Sequence, residues 1–425
     1  MSNAAGMTQV IERGLARRYR AERRFRASGI AALGFATLML VILLVTIIRP
    51  GLGGFMRHEL KLTVDTAPIA DMLQGHPETV DYYALTRAAL KAATPGDFTD
   101  KVARHQLLAL VGTFAAFDVK RQLGAHPAQV GQKREVWVPL ADNADQLLKG
   151  RLDRTLPEAQ RAFNDRQIGW LDDWAQQGRL RMRFNRDFFT RGDSRAPEAA
   201  GFMGAMVGSL LSLAVCLVVA VPVAIMAAIT LEEFARKSRL AEMLEVTINN
   251  LAAVPSIIYG LLGLSVYLQL FGMPRSSPLV GGLTLAMLIL PVMIIASRAA
   301  IRAVPPSMRL AAAGLGATPL QVVRHHVLPY ALPGILTGTI LSVSRALGES
   351  APLLMIGMVA FVADIPRGFT DPATTMPVEI YLWASSPELG FIEKTSSAIL
   401  VLLGILLLLN LAAIRLRNKA QLTWN

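Results

Sequence analysis

RLAAAGLGATPLQVVRHHVLPYALPGILTGTILSVSRALGES occupies residues 309–350 and decides the fold. Just ahead of it, Pro305, Pro306 and Ser307 suit a helix start, because proline fixes φ and its missing N–H is not needed in the first turn. Ala311, Ala312 and Ala313 continue that helix, and Gly314 and Gly316 can supply the left-handed conformation that ends it. A second helix restarts at Thr318 as N-cap, with Pro319 at the first helical position and Gln321 reaching back as a capping box. It carries Leu320, Val323 and Val327 along one side, with Arg324, His325 and His326 around the rest. Two short helices with an elbow almost bare of side chains let a foreign backbone come close, so residues 305–327 read as a docking element. An uncharged run from Val327 to Ser344 follows, interrupted by Pro329 and Pro333. Arg345 and Glu349 close the stretch, four residues apart and on one helix face. Ionisable residues at bilayer depth are costly and usually face a bundle interior or an aqueous path. A docking element is thus joined, without a linker, to a charged membrane helix.

Working outward, the 425 residues are 53% apolar and contain several uncharged runs of the roughly 20 residues that one crossing needs. The net charge of +12 is unevenly placed. Residues 50–198 hold 21 Lys and Arg against 19 Asp and Glu, leaving 22 against 12 in the membrane part. Such flanking charge orients spans and is no nucleic-acid signature. The single Cys216 lies in an apolar run, so neither a disulfide framework nor a cysteine metal site arises. No spacing of His58, His76, His105 and His126 points to a metal either.

Residues 1–27 are basic, with Arg13, Arg17, Arg18, Arg20, Arg23, Arg24 and Arg26 ahead of an uncharged run ending at Ile48. That run exceeds the core of a cleaved signal peptide, so 28–49 is expected to be a retained anchor. Residues 50–198 form an inserted soluble α+β module. Strands are expected at 59–64, 134–139 and 179–184, the last with Leu180, Met182 and Phe184 on one face. Helices are expected at 77–93, 98–123 and 156–177. The module shows no acid–base or nucleophile constellation, and Asp172-Asp173 fits a solvated helix face. Five more apolar stretches lie near 199–230, 251–273, 278–297, 330–361 and 396–414. Basic residues at the N-terminus, at Arg236/Lys237/Arg239, at Arg298/Arg302/Arg309/Arg324 and at Arg415/Arg417/Lys419 all fall on one side when sides alternate. The expectation is an all-α polytopic membrane protein of six spans, both termini cytoplasmic and 50–198 outside. Five helices and the 305–327 element then make up a domain at 199–415, and 416–425 is a tail.

RLAAAGLGATPLQVVRHHVLPYALPG resembles the docking loop of ABC-importer permeases: Glu-Ala-Ala, three residues, Gly, nine residues, Ile-x-Leu-Pro. Ala311 and Ala312 match the alanines, Gly316 the glycine and Leu328-Pro329 the ending, while Leu310 replaces the glutamate and His326 the isoleucine. The leucine removes a carboxylate that could pair with the ATPase. SRALGESAPLLMIGMVAF, DIPRGFTDPATTMPVEIYLWASSPE, NNLAAVPSIIYGLLGL and LEEFA look like the PstA branch of phosphate importers, as does the basic anchor followed by an extra domain. The resemblance implies four partners: inorganic phosphate, a second permease subunit (PstC-like), an ATPase dimer (PstB-like) holding ATP and Mg, and a periplasmic phosphate-binding protein (PstS-like). No cofactor on this chain is expected. Independently, no Gly-Lys pair occurs in the sequence, so a phosphate-cradling ATPase loop is absent.

Arg345 and Glu349 are then candidates for the translocation path, arginine's planar fork suiting phosphate oxygens; a helix-packing ion pair is the alternative. Arg298 and Arg302 read as positive flanks, or else as a cationic exit mouth. The ATPase-coupling surface is expected to include Ala311, Ala312, Ala313, Gly314, Gly316, Thr318, Leu320, Val323 and Arg324. Gly281-Gly282 and Gly334/Gly338 are expected helix-packing points. The acidic stretch 364–393, with Asp364, Asp371, Glu379 and Glu388, either seats a binding protein or is a solvated loop. Two other functions remain open: a permease for sulfate or molybdate, and a membrane-anchored receptor acting through 50–198.

Overall fold

The computed structural model describes residues 2–124, 132–235, 238–359 and 361–420. His126 and the Arg236/Lys237 flank lie outside the described residues. Met1–Pro50 and Gly51–Asn425 are two units. The first is occupied by helix α1, Ser2–Gly54, whose apolar side chains, Leu33 to Val45 among them, lie exposed. An uncharged helical stretch apolar on every side, as α1 is from Ala27 to Ile48, has the character of a membrane span.

In the second unit, alternation along β1, Met56–Asp65, buries Leu60, Leu62 and Val64. A short α2, Ala70–Gly75, and α3, Tyr82–Ala93, follow. The helix expected at 98–123 is two, α4 at Lys101–Leu108 and α5 at Ala115–Gly124. The break between them is fixed by Gly112, whose N–H donates to Pro139 O at 3.0 Å, and by a bridge from Val111 to Leu140. Tertiary pairing overrides helix propensity there. Strand β2, Lys133–Pro139, leads into α6, Asp142–Leu148, which periodicity did not reveal. Helix α7 begins at Asp165, not at 156, because Asn164 and Gln167 close a capping box there. Strand β3, Leu180–Phe184, is an edge strand; Leu180 packs inward whereas Met182 and Phe184 stay half-exposed. The sheet runs β2-β1-β3, antiparallel throughout, with Leu62 opposite Val136 and Met56 opposite Phe184.

The remaining helices are α8 (Met203–Ile229), α9 (Arg239–Ala252), α10 (Ser256–Gly263), α11 (Pro278–Arg302), α12 (Pro306–Gly314), α13 (Pro319–Val322), α14 (Leu328–Gly348), α15 (Ala351–Met355), α16 (Met376–Ala384) and α17 (Leu389–Ala420). The alanine side of α8, with Ala205, Ala220 and Ala224, packs against Val280, Ile289 and Met293 of α11. Helix α14 lies on α11 at the two glycines singled out above. A Cβ on Gly334 would come within 2.7 Å of the Ala300 Cβ, and one on Gly338 within 2.5 Å of the Ala296 Cβ. Small residues here let the backbones approach.

Among the described residues, five helices are long and apolar enough to cross a membrane, or six if the bent pair 239–252 and 256–270 is one span. Most of the span expected at 251–273 is therefore one arm of a bent pair. The chain turns by 101° at Ala253–Pro255, where a proline disfavours helix in the residue before it. The span expected to reach 361 stops at Gly348; Glu349 is extended and a separate helix, α15, starts at Ala351.

Candidate functional site

The elbow in the docking element is a Schellman motif built by Gly316. Its φ is +84°; its N–H donates to Ala313 O at 2.9 Å, and the next N–H, of Ala317, to Ala312 O at 3.2 Å. Those bonds satisfy carbonyls that the end of α12 would orphan. Gly314 was also a candidate for this conformation, but it stays within α12. Thr318 caps α13 as expected: Gln321 N–H donates to its Oγ1 at 3.4 Å, and Thr318 N–H to Gln321 Oε1 at 2.8 Å. A π-helical turn, Val323–Val327, carries α13 directly into α14. From Pro319 to Gly348 the chain is one helical rod of 30 residues.

The two faces of the element divide differently from the sequence reading. Ala312, Val322 and Val327 are buried on Ala228, Ile301, Val304, Ala331 and Ile335, and Val323 is buried too. Ala312 and Val323, counted in the expected coupling surface, thus hold the element to the bundle instead. Leu320 is exposed whereas Val323 and Val327 are buried. What faces outward is Ala311, Ala313, Gly314, Gly316, Thr318 and Arg324, together with Leu310, Leu315 and Leu320, which are 72%, 89% and 66% exposed.

Three arginines tie this element and the end of α11 to the end of α8. Arg309 donates to Glu233 through Nη2 at 2.7 Å and Nε at 3.1 Å, and its remaining N–H groups reach Val304 O and Ile301 O. Arg298 donates through Nε to Glu232 at 2.7 Å and lies 3.0 Å from Glu245. Arg302 forks onto the same Glu232 at 2.8 and 3.1 Å. Glu232 and Glu233 sit on a π turn, Thr230–Phe234, that aims adjacent carboxylates at different partners. The sequence reading gave these two acids no role. Their signal was an acidic pair closing a long uncharged run, opposite unexplained arginines.

Arg345 and Glu349 do pair, Nε to Oε1 at 3.7 Å, with side chains 40% and 21% exposed. The pair is not enclosed within this chain. Beside it, in the last turn of α14, Ser344 Oγ donates to Asn410 Oδ1 of α17 at 2.9 Å. Arg345 lies about 26 Å along α14 from Leu328 at 1.5 Å per residue.

The acidic stretch 364–393 is mostly not an open loop. Glu379 is 1% exposed within α16, and burial beside Asp193 pushes its carboxyl well above the usual range. Asp371 accepts the N–H groups of Arg367 and Gly368 in a turn. Asp364 and Glu388 are exposed. Glu393 is locked to the inserted domain: Lys149 and Arg151 lie 3.2 Å from it, and Gln146 donates to it at 2.6 Å. Among the described residues no cluster of His, Cys, Asp or Glu could hold a metal.

Residues 220–418 match the family model described as binding-protein-dependent transport system inner membrane component, and residues 12–158 match a domain of unknown function. The phosphate transport system permease protein PstA 1 of Mycobacterium tuberculosis is 32% identical over 222 residues, 52% of this chain and 72% of that protein. PstA of Haemophilus influenzae is 32% identical over 47% of this chain and 70% of its own length, and that of Yersinia pestis 33% over 50% and 71%. Among solved structures, the MetNI methionine ABC transporter in an inward-facing conformation has a TM-score of 0.41 at 17% identity, over 52% of this chain and 94% of that one.

Proposed function

Because this chain belongs to the PstA family of phosphate transport permeases, we infer that it forms one part of a path for inorganic phosphate through the membrane. It is a multi-pass inner-membrane permease subunit of the binding-protein-dependent transport type. The energy would come from ATP and Mg held on a partner ATPase dimer. The observation that carries the reading is mechanical: the second docking helix, α13, and the helix bearing Arg345 form one helical rod from Pro319 to Gly348. Burying one leucine is worth roughly 1.5–3 kcal/mol, so three exposed leucines and a bare glycine elbow favour a partner surface over that tip. A push there tilts α14 and moves Arg345 and Glu349.

Arg345, partly open on the side of this chain, would meet phosphate oxygens in a path shared with a second permease subunit. Glu349 holds the guanidinium when the path is empty. Arg298 and Arg302 are already engaged by Glu232, which favours a clamp over an exit mouth. Basic flanks support a cytoplasmic side for the α12 end and both termini, with residues 50–198 in the periplasm, where a phosphate-binding protein would dock.

The test is uptake of labelled phosphate and sulfate by the assembled transporter. Phosphate uptake is expected, reduced at least tenfold by Arg345→Ala and partly kept by Arg345→Lys. Unchanged uptake in Arg345→Ala would overturn the path assignment. Preferential sulfate uptake would overturn the substrate.

A further inference from the structure

The inserted domain carries a cationic groove that the transport reading does not use. It lies between α3 and α4, with a volume of about 570 Å³, within the roughly 300–1,000 Å³ typical of small-molecule sites. Arg87, Lys91, Lys101, Arg104 and His105 line it, over an apolar floor that includes Leu107. No carboxylate lines it, and no described acid forms an ion pair with any of its arginines or lysines. The nearest acids in sequence are spent on the backbone. Asp81 accepts Ala84 N–H at 2.9 Å, Asp97 accepts Thr99 N–H at 2.9 Å, and Asp100 accepts Val102 N–H at 3.2 Å. Arg87 and Arg104 donate only to backbone carbonyls, of Tyr83, Asp100 and Thr99. Elsewhere in the same domain most arginines are neutralised: Arg57, Arg121, Arg181 and Arg191 each meet a carboxylate.

Like charges left together without counterions repel, and an anion relieves that cost. The cations are strung along two helices rather than gathered at one point. Arg87 and Lys91 are one turn apart, a rise of about 6 Å. A ligand with more than one phosphate group fits that spread better than a single orthophosphate, and arginine's fork suits phosphate oxygens. We propose that the groove between α3 and α4 binds a polyanion through phosphate groups, held by Arg87, Lys91, Lys101 and Arg104. The phosphates can belong to a soluble oligophosphate or to anionic lipid headgroups, and the two sources are separable. The proposal does not depend on what the membrane helices transport.

The experiment uses the full chain in a neutral detergent. Inorganic tripolyphosphate binding is measured by calorimetry, and retention of phosphatidylglycerol by native mass spectrometry. The comparison variant is Arg87→Gln/Lys91→Gln/Lys101→Gln/Arg104→Gln, and Lys133→Gln/Arg166→Gln on the same domain is the charge control. Tripolyphosphate affinity at least tenfold weaker in the quadruple variant, with the control unchanged, supports a soluble source. Lipid retention lost in the quadruple variant alone supports headgroups. Wild type and quadruple variant behaving alike toward both probes would overturn the site, as would an equal loss in the control. The thermal midpoint, read alongside, is expected to stay within a few degrees, since the replaced groups hold no carboxylate partner.

Discussion

Gly316 shows how much one residue decides. An L side chain in the left-handed region costs roughly 1–2 kcal/mol, and at φ +84° Gly316→Val would unpick the Schellman bonds that seat Ala317. The expected outcome is a folded protein whose uptake falls several-fold while the partner's ATP hydrolysis continues, read by measuring both together. Asp142 tests a different residue-scale effect. Burial, with Glu198 and Asp145 nearby, pushes its carboxyl up from 3.8 to about 6. The folded chain therefore holds that proton more tightly than the unfolded chain. Its contribution to stability is fully present below about 3.8 and is lost as pH rises through about 6. Asp142→Asn should remove this dependence. The variant is expected to gain on wild type across that window, by at most about 3 kcal/mol, and the difference should level off above it. Asp187 and Glu59, whose carboxyls the facing Arg groups hold low, titrate with the opposite sign but cancel in the difference. Thermal unfolding of both proteins against pH checks it; a flat difference would refute the assignment.

At the scale of elements, the turn that carries Glu232 and Glu233 is the joint between α8, α11 and the docking helix. Because Arg309 bonds Glu233 and two carbonyls at once, removing either charge should loosen α12 from the bundle. Glu233→Gln and Arg309→Gln are each expected to lower stability and uptake, and the double variant to do little further harm. Contacting pairs give interaction energies of about 0.5–3 kcal/mol in such cycles. Strictly additive losses in a double-mutant cycle would show the pair to be uncoupled.

For the molecule as a whole, the inserted domain is fastened to the membrane helices by charge. Glu393 is 2% exposed and faces Lys149 and Arg151; Lys149 also bonds Gly53 O and Met56 O. Asp142 accepts the Gly390 N–H at 2.9 Å, and the buried Lys394 lines the same seam beside Arg57 and Asp142. Breaking a buried pair from one side commonly costs about 3–5 kcal/mol, since the other charge is left uncompensated. Glu393→Ala should accordingly lower the thermal midpoint by several degrees, with Glu393→Gln in between because it keeps a hydrogen-bonding oxygen. A midpoint unmoved by Glu393→Ala would mean that the domain is held by other contacts. Deleting the domain outright would uncover Glu393 and Lys394, so anchor-point substitutions are the cleaner probe.

The sequence by itself determined whatever is local or compositional. Apolar runs gave the membrane helices, Thr318-Pro319-Leu320-Gln321 gave a capped helix start, and Gly334 and Gly338 gave a close helix contact, because caps and small-residue spacings act within a few residues. Tertiary structure decided the rest. Which side of the docking element is buried depends on its packing against α8, α11 and α14, which no periodicity announces, so Ala312 and Val323 turned inward. That Arg298, Arg302 and Arg309 are clamped by Glu232 and Glu233 rests on pairs some 70 residues apart. The break of the 98–123 helix likewise comes from pairing across the chain. Charges find their partners in space, and spacing along a chain says little about which of them will meet.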